Sequence, residues 1–158
     1  MKLVKDIVYK VDIIAVHGNV NTMVNAIVID SRAALKNCLF VAQKGLLLDG
    51  HAFIDKAIEL GASAIVCENL PSNLNANCTY IQVKNANNAL AVIASNFYDN
   101  PSSKLKLIGI TGTNGKTTVA TLLYQLFQKA GFKTGLLSTV KILIDEKHYE
   151  ATHTTPNS

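Results

Sequence analysis

The stretch LKLIGITGTNGKTT, Leu105 to Thr118, runs from an apolar segment into a turn built on two glycines and then into a polar helix start. Its first half, Leu105 to Ile110, predicts a buried strand. Beyond the turn, Val119, Leu122, Leu123, Leu126, Phe127 and Ala130 recur at helical spacing, and Gly131 closes the pattern. A strand, a glycine turn and a helix in that order make a seat for an anion. The glycines let successive main-chain N–H groups turn inward, and the helix aims its positive end at the same point. Gly112, Thr113, Asn114, Gly115, Lys116, Thr117 and Thr118 are therefore the expected nucleotide-phosphate-binding loop, the segment that the resemblance below assigns to ATP. Lys116 is placed to reach the β and γ phosphates as the catalytic cation, and the Thr117 hydroxyl to ligate Mg2+. Phosphate loops of the general pattern carry a glycine five residues before their Gly-Lys pair. That position is Ile110 here, so the reading rests on Gly115-Lys116-Thr117 and the flanking elements. The bland alternative is a tight turn, since Gly and Asn tolerate positive φ.

Working back toward the amino terminus, AIVID (26–30), CLFVA (38–42), AIVC (64–67) and YIQV (80–83) read as short strands. Phe53, Ile54, Ala57, Ile58 and Leu60 follow helical spacing and stop at Gly61; Leu90, Ile93, Ala94 and Phe97 form a second helical stripe within residues 88–98. Residues 1–11 are a short helix or a strand entry. Asn100-Pro101-Ser102-Ser103-Lys104 has a helix-ending proline and no core residues, which marks a linker. After the long helix, GLLSTV (135–140) is expected as the next parallel strand. Residues 141–144 and 147–149 flank Asp145-Glu146 as a hairpin. The alternation of strands and helices predicts an α/β chain. Residues 1–100 form a small α/β domain, 101–104 a linker, and 105–158 the beginning of a parallel-sheet domain around the phosphate loop.

Composition narrows the partners. With 158 residues, 49% of them hydrophobic and 16% charged, the chain is globular rather than disordered or coiled-coil. Its longest apolar run, Ala89 to Ala94, falls far short of the roughly 18 residues of a membrane span. The first ten residues build no apolar export signal, so a cytoplasmic location away from any membrane is expected. The net charge is +4, but Arg32 is the sole arginine and the lysines are scattered. Nucleic-acid readers gather basic residues and favour arginine, so no nucleic-acid partner is expected. Cys38, Cys67 and Cys78 have neither an even count nor metal-ligand spacing and read as free thiols.

The loop segment LIGITGTNGKTT resembles the ATP-binding segment of the Mur ligases, which build the peptide of bacterial cell-wall precursors. Three further segments sharpen the likeness to the MurE type. They are Asp30-Ser31-Arg32 with Cys38 to Ala42; Gly45 with Asp49-Gly50-His51 and Phe53-Ile54; and Ala151-Thr152-His153-Thr154-Thr155-Pro156. In that order they cover nearly the whole chain. The resemblance implies an ATP-dependent amide-forming ligase adding a diamino acid, meso-diaminopimelate or L-lysine, to UDP-N-acetylmuramoyl-L-Ala-D-Glu through an acyl phosphate. It also implies a three-domain monomer, of which this chain holds the amino-terminal domain and the start of the central ATPase, and which would be inactive in this form. By resemblance, Ser31 contacts the uridine nucleotide, and Thr154 and Thr155 contact the muramoyl substrate. The alternatives are a stand-alone UDP-sugar-binding module, another Mur ligase type, or a P-loop GTPase or kinase. The GTPase guanine signature Asn-Lys-x-Asp does not occur. Without the resemblance, Asp30-Ser31-Arg32 is a strand-end turn with a surface ion pair, and His51 a residue at a helix start.

Overall fold

A computed structural model describes residues 1–45, 48–145 and 147–150. These divide into two compact units, Met1–Leu105 and a second from Lys106 on. The first unit begins with strand β1 (Lys2–Leu3), the one-turn helix α1 (Val4–Ile7), and strands β2 (Ile13–His17), β3 (Met23–Val24) and β4 (Ala26–Val28). A 3-10 turn at Ser31–Ala33 leads to β5 (Cys38–Val41). A second 3-10 turn, Gly50–Phe53, runs directly into α2 (Ile54–Glu59), followed by β6 (Ala62–Cys67), β7 (Thr79–Val83) and α3 (Ala86–Phe97).

Five strands form one sheet in the order β2-β7-β6-β5-β4. The run β4 to β7 is parallel throughout, and β2 closes one edge antiparallel to β7. The sheet is covered on both faces, which is why β5 and β6 read as continuous apolar runs rather than alternating ones. Leu39, Val41, Ala64, Val66, Ile81 and Val83 belong to the cluster with α1 and α3. Their neighbours along the strands, Cys38, Phe40, Ile65, Cys67 and Tyr80, belong to the cluster with α2. Burying side chains of this size is worth roughly 1.5–3 kcal/mol each, and Phe40, Leu39, Ile65 and Ile81 are all fully enclosed.

Strand β2 has no counterpart in the sequence reading. It lies at an edge with Ile14 and Val16 exposed, and its register shifts between Ile13 and Ala15, so no clean alternation marks it. Helix α3 starts two residues earlier than its apolar stripe suggests, because the Asn85 side chain caps it by accepting from Asn88 N–H at 2.8 Å. The stretch read as a linker is folded. Asp99 and Asn100 take left-handed conformations (φ 61° and 51°), and Pro101–Lys104 make a 3-10 turn. Ser95 donates to Asn100 Oδ1 at 3.0 Å and Ser103 to Asn100 O at 2.7 Å, while Lys2 pairs with Asp99.

The second unit contains α4 (Lys116–Lys129), β8 (Gly135–Leu137), β9 (Lys141–Ile144) and β10 (Lys147–Glu150). Two expectations are corrected here. Residues 105–110 form no strand ladder, and Leu107 is 73% exposed. Extended chain becomes a strand only against a neighbour, and none pairs with this segment among the described residues. The strand expected over 135–140 is shorter and antiparallel to β9, so the described sheet of this unit is β10-β9-β8, antiparallel throughout. The hairpin around Asp145 is present as read; Asp145 takes φ 50°, and its carbonyl accepts from Gln128 Nε2 at 3.0 Å and from the Tyr124 hydroxyl. Leu136 is the one buried apolar residue described in this unit. No described helix is long and apolar enough to cross a membrane.

Candidate functional site

In the second unit the glycine turn expected to hold phosphate sits directly before α4. Gly112 and Gly115 adopt φ of +150° and +78°, values that L side chains rarely take, and Gly115 is the residue that caps the helix. No side chain caps this end. Among the described residues, none of the main-chain N–H groups of residues 113–118 donates to a protein acceptor; the first bond of the helix is Val119 N–H to Gly115 O at 2.9 Å. Unpaired donors at a helix start carry partial positive charge and stand ready for an anion. Lys116 folds its ammonium back over the loop, donating to Gly112 O at 2.5 Å and Thr113 O at 3.3 Å. The Thr117 carbonyl is engaged by the Thr121 hydroxyl at 2.8 Å, and its own hydroxyl has no hydrogen-bond partner among the described residues.

In the first unit, Ser31 and a set of hydrogen-bonded polar side chains lie where parallel strands end. Ser31 opens the 3-10 turn after β4 and is only 8% exposed, yet its hydroxyl makes no hydrogen bond among the described residues. Asp30 caps that turn from its side chain, accepting from Arg32 N–H at 2.9 Å, and the Arg32 guanidinium grips the same carboxylate at 2.7–3.1 Å. That grip holds the Asp30 carboxyl down at about 2. The ion pair foreseen in the bland reading is therefore present, and it also shapes the turn that presents Ser31.

The loop after β5 is closed at its base. Lys44 and Asp49 form an antiparallel bridge, and Gly50 N–H reaches Gln43 O at 2.8 Å. Asp49 caps the next 3-10 turn by accepting from His51 N–H at 3.0 Å, which together with the imidazole lowers its carboxyl below the usual range. His51 does more than begin a helix: its ring spans from Asp49 to the turn after β6, where it meets Glu68 and Asn69. Glu68 in turn caps α3, accepting from Ala86 N–H at 2.9 Å, and Gln43 donates to Asn87 at 2.5 Å. The sequence signal for this network was the Asp49-Gly50-His51 triplet; its long-range partners at 68, 69, 86 and 87 have no local pattern. Thr154 and Thr155 lie outside the described residues, as do Leu46 and Leu47. Among the described residues no group of three His, Cys, Asp or Glu could hold a metal ion.

Two sequence families match. One, described as Mur ligase family, catalytic domain, covers residues 23–98; the other, Mur ligase middle domain, covers residues 110–158. The chain belongs to the Mur ligase family. Among curated members, it is 56% identical over 156 residues to the UDP-N-acetylmuramoyl-L-alanyl-D-glutamate--2,6-diaminopimelate ligase of Cytophaga hutchinsonii, with 98% of this chain and 32% of that protein aligned. The ligase of the same name from Bacteroides fragilis is 48% identical, over 99% of this chain and 32% of its own length. This Mur ligase chain thus spans about a third of the length of the curated relatives it matches. Among solved structures, MurF ligase from Thermotoga maritima in complex with ADP aligns at 32% identity and a TM-score of 0.51, over 68% of this chain and 24% of that one. MurF from Acinetobacter baumannii aligns at 26% identity and a TM-score of 0.53, over 67% and 22%. The mixed α/β architecture with a parallel-sheet core agrees with these neighbours.

Proposed function

We propose that this chain supplies the UDP-substrate and ATP-phosphate parts of an ATP-dependent ligase that joins 2,6-diaminopimelate to UDP-N-acetylmuramoyl-L-alanyl-D-glutamate. The observation that carries the reading is the row of unpaired N–H groups over residues 113–118, ahead of α4 and beside Lys116. These residues fit a polyphosphate: donors are preset at a helix start, and a lysine already bridges the loop carbonyls. Gly112 to Thr118 would hold the ATP phosphates, with Lys116 turning from Gly112 O to the anion. Thr117, with its hydroxyl unengaged, would hold Mg2+. In the first unit Ser31 would meet the uridine nucleotide, and Thr154 and Thr155 the muramoyl part. The division of labour is one domain over residues 1–100 for the UDP end, and the segment from 105 for ATP, joined by 101–104.

ATP supplies the activation that a carboxylate lacks: phosphorylation turns its oxygen into a leaving group, so the amine attacks an acyl phosphate. Lys116 stabilises charge that builds on the transferring phosphoryl group, a contribution made mainly in the transition state. The name shared by the relatives favours 2,6-diaminopimelate over L-lysine as the amine. We take the protein to act in the cytoplasm as a monomer without a nucleic-acid partner.

Calorimetric titration of the chain with ATP and Mg2+, and separately with UDP, tests this. Saturable binding of both is expected. Lys116→Ala should weaken ATP by about 10- to 100-fold, the worth of a charged hydrogen bond, and leave UDP unchanged. UDP binding without ATP binding would favour a stand-alone UDP-sugar module instead.

A further inference from the structure

We infer that His51, held neutral, is a positioning residue for the UDP end of the substrate, tying together the loops at the carboxyl ends of β5 and β6. This rests on the proposed role of the first unit in UDP binding. The His51 Nε2 atom accepts two main-chain N–H groups, from Glu68 at 2.9 Å and Asn69 at 3.2 Å. A ring nitrogen that accepts cannot carry a proton, so the single ring proton sits on Nδ1 and points at Asp49 Oδ1, 2.6 Å away. The ring is mostly enclosed, its side chain 13% exposed. Asp49 therefore selects the tautomer, in the way a carboxylate behind a catalytic or metal-bound imidazole does.

What this ring fastens is a continuous chain of contacts. On one side, Lys44 bridges Asp49 and Gly45 N–H reaches Leu48 O at 2.9 Å, just ahead of His51. On the other, Glu68 passes the connection on, its carboxylate to Ala86 N–H and its carbonyl to Gln82 Nε2 at 3.1 Å. The loops after β5 and β6 and the start of α3 are thereby one assembly. In parallel α/β sheets, ligands bind outside the carboxyl ends of the strands. Ser31 occupies that edge after β4, and β4 pairs directly with β5. A nucleotide held by Ser31 lies beside the loop that His51 fixes. His51 would touch no substrate atom; it acts through the loop.

The test uses the whole chain, with UDP as the probe, in calorimetric titrations of the wild type, His51→Ala and His51→Gln. His51→Ala should weaken UDP by about tenfold, since the Glu68 and Asn69 main-chain donors lose their acceptor and the two loops their tie, and leave ATP affinity unchanged. His51→Gln, which offers a carbonyl acceptor at similar reach, should restore most of it. A thermal melt of each variant checks folding. Because His51→Ala can also unfold the unit, nitrogen NMR of the wild-type imidazole provides a second reading: Nε2 bare and Nδ1 protonated at neutral pH, with both signals moving when UDP binds. Unchanged UDP affinity in a folded His51→Ala protein, or a ring protonated at both nitrogens, overturns the inference while leaving the UDP reading standing. A wild-type chain that does not bind UDP at all overturns both.

Discussion

Replacing Gly50 with alanine probes the base of the loop after β5. A Cβ built there meets Gln43 O at 2.7 Å, Gln43 N at 2.8 Å and the Ala42 carbonyl carbon at 3.2 Å. All three are main-chain atoms, so no side chain can rotate aside. The strand end must move away from the turn, and that motion stretches the 2.8 Å bond from Gly50 N–H to Gln43 O. Overpacking of this kind costs about 1–3 kcal/mol, and the hydrogen bond adds about 1 kcal/mol. Reduced freedom of the unfolded chain returns up to about 1 kcal/mol. The net loss is about 1–3 kcal/mol, which lowers the melting temperature of a unit this size by roughly 5–20 °C. Calorimetry and circular dichroism of the chain read this directly, with Gly109→Ala as the control, because nothing lies within 4 Å of a Cβ there. A Gly50→Ala protein that melts with the wild type would refute the claim that residues 43 and 50 are locked together.

Burial pushes the Cys67 and Cys78 thiols up to about 11, and raises Cys38 as well. All three are free and buried, so none should react with a thiol reagent at pH 8 until denaturant is added, and a fast-reacting native thiol would contradict this packing. The sign also follows: protonated thiols add stability below the ordinary value near 9, and that stability drains away as the pH rises through 11. At the acid end, Asp30 is depressed to about 2 by its hydrogen bonds from Arg32, so its contribution is complete above the ordinary 3.8 and lost as the pH falls through 2. Asp30→Asn should therefore flatten the melting temperature of the first unit between about pH 4 and 2, and an unchanged slope would show that the pair does not stabilise the turn; the pair is exposed, so added salt should shrink the effect.

Strands β4 to β7 and helices α2 to α4 were legible because their signals are local. A strand covered on both faces is an apolar run, and a helix on one face of a sheet is an apolar stripe, whatever the rest of the chain does. The segment 105–110 shows the limit of that logic: LKLIGI has the composition of a buried strand, but no described neighbour supplies a ladder, and its leucines remain exposed. Edge strand β2 failed in the opposite sense, forming against β7 without a pattern of its own. At the candidate site, the proposed phosphate loop was read from Gly115-Lys116-Thr117 together with its flanking elements, whereas His51 looked like an ordinary residue near a helix start.

The sequence by itself determined the α/β class and the family, because both are written in short windows along the chain, and the same windows carry the proposed phosphate loop at 112–118. Tertiary structure alone decided that 135–144 pairs antiparallel, that 101–104 is a folded turn, and that the His51 ring joins Asp49 to Glu68 and Asn69. Those outcomes depend on which distant groups arrive within hydrogen-bonding range, and that is a property of the packed chain rather than of any window along it.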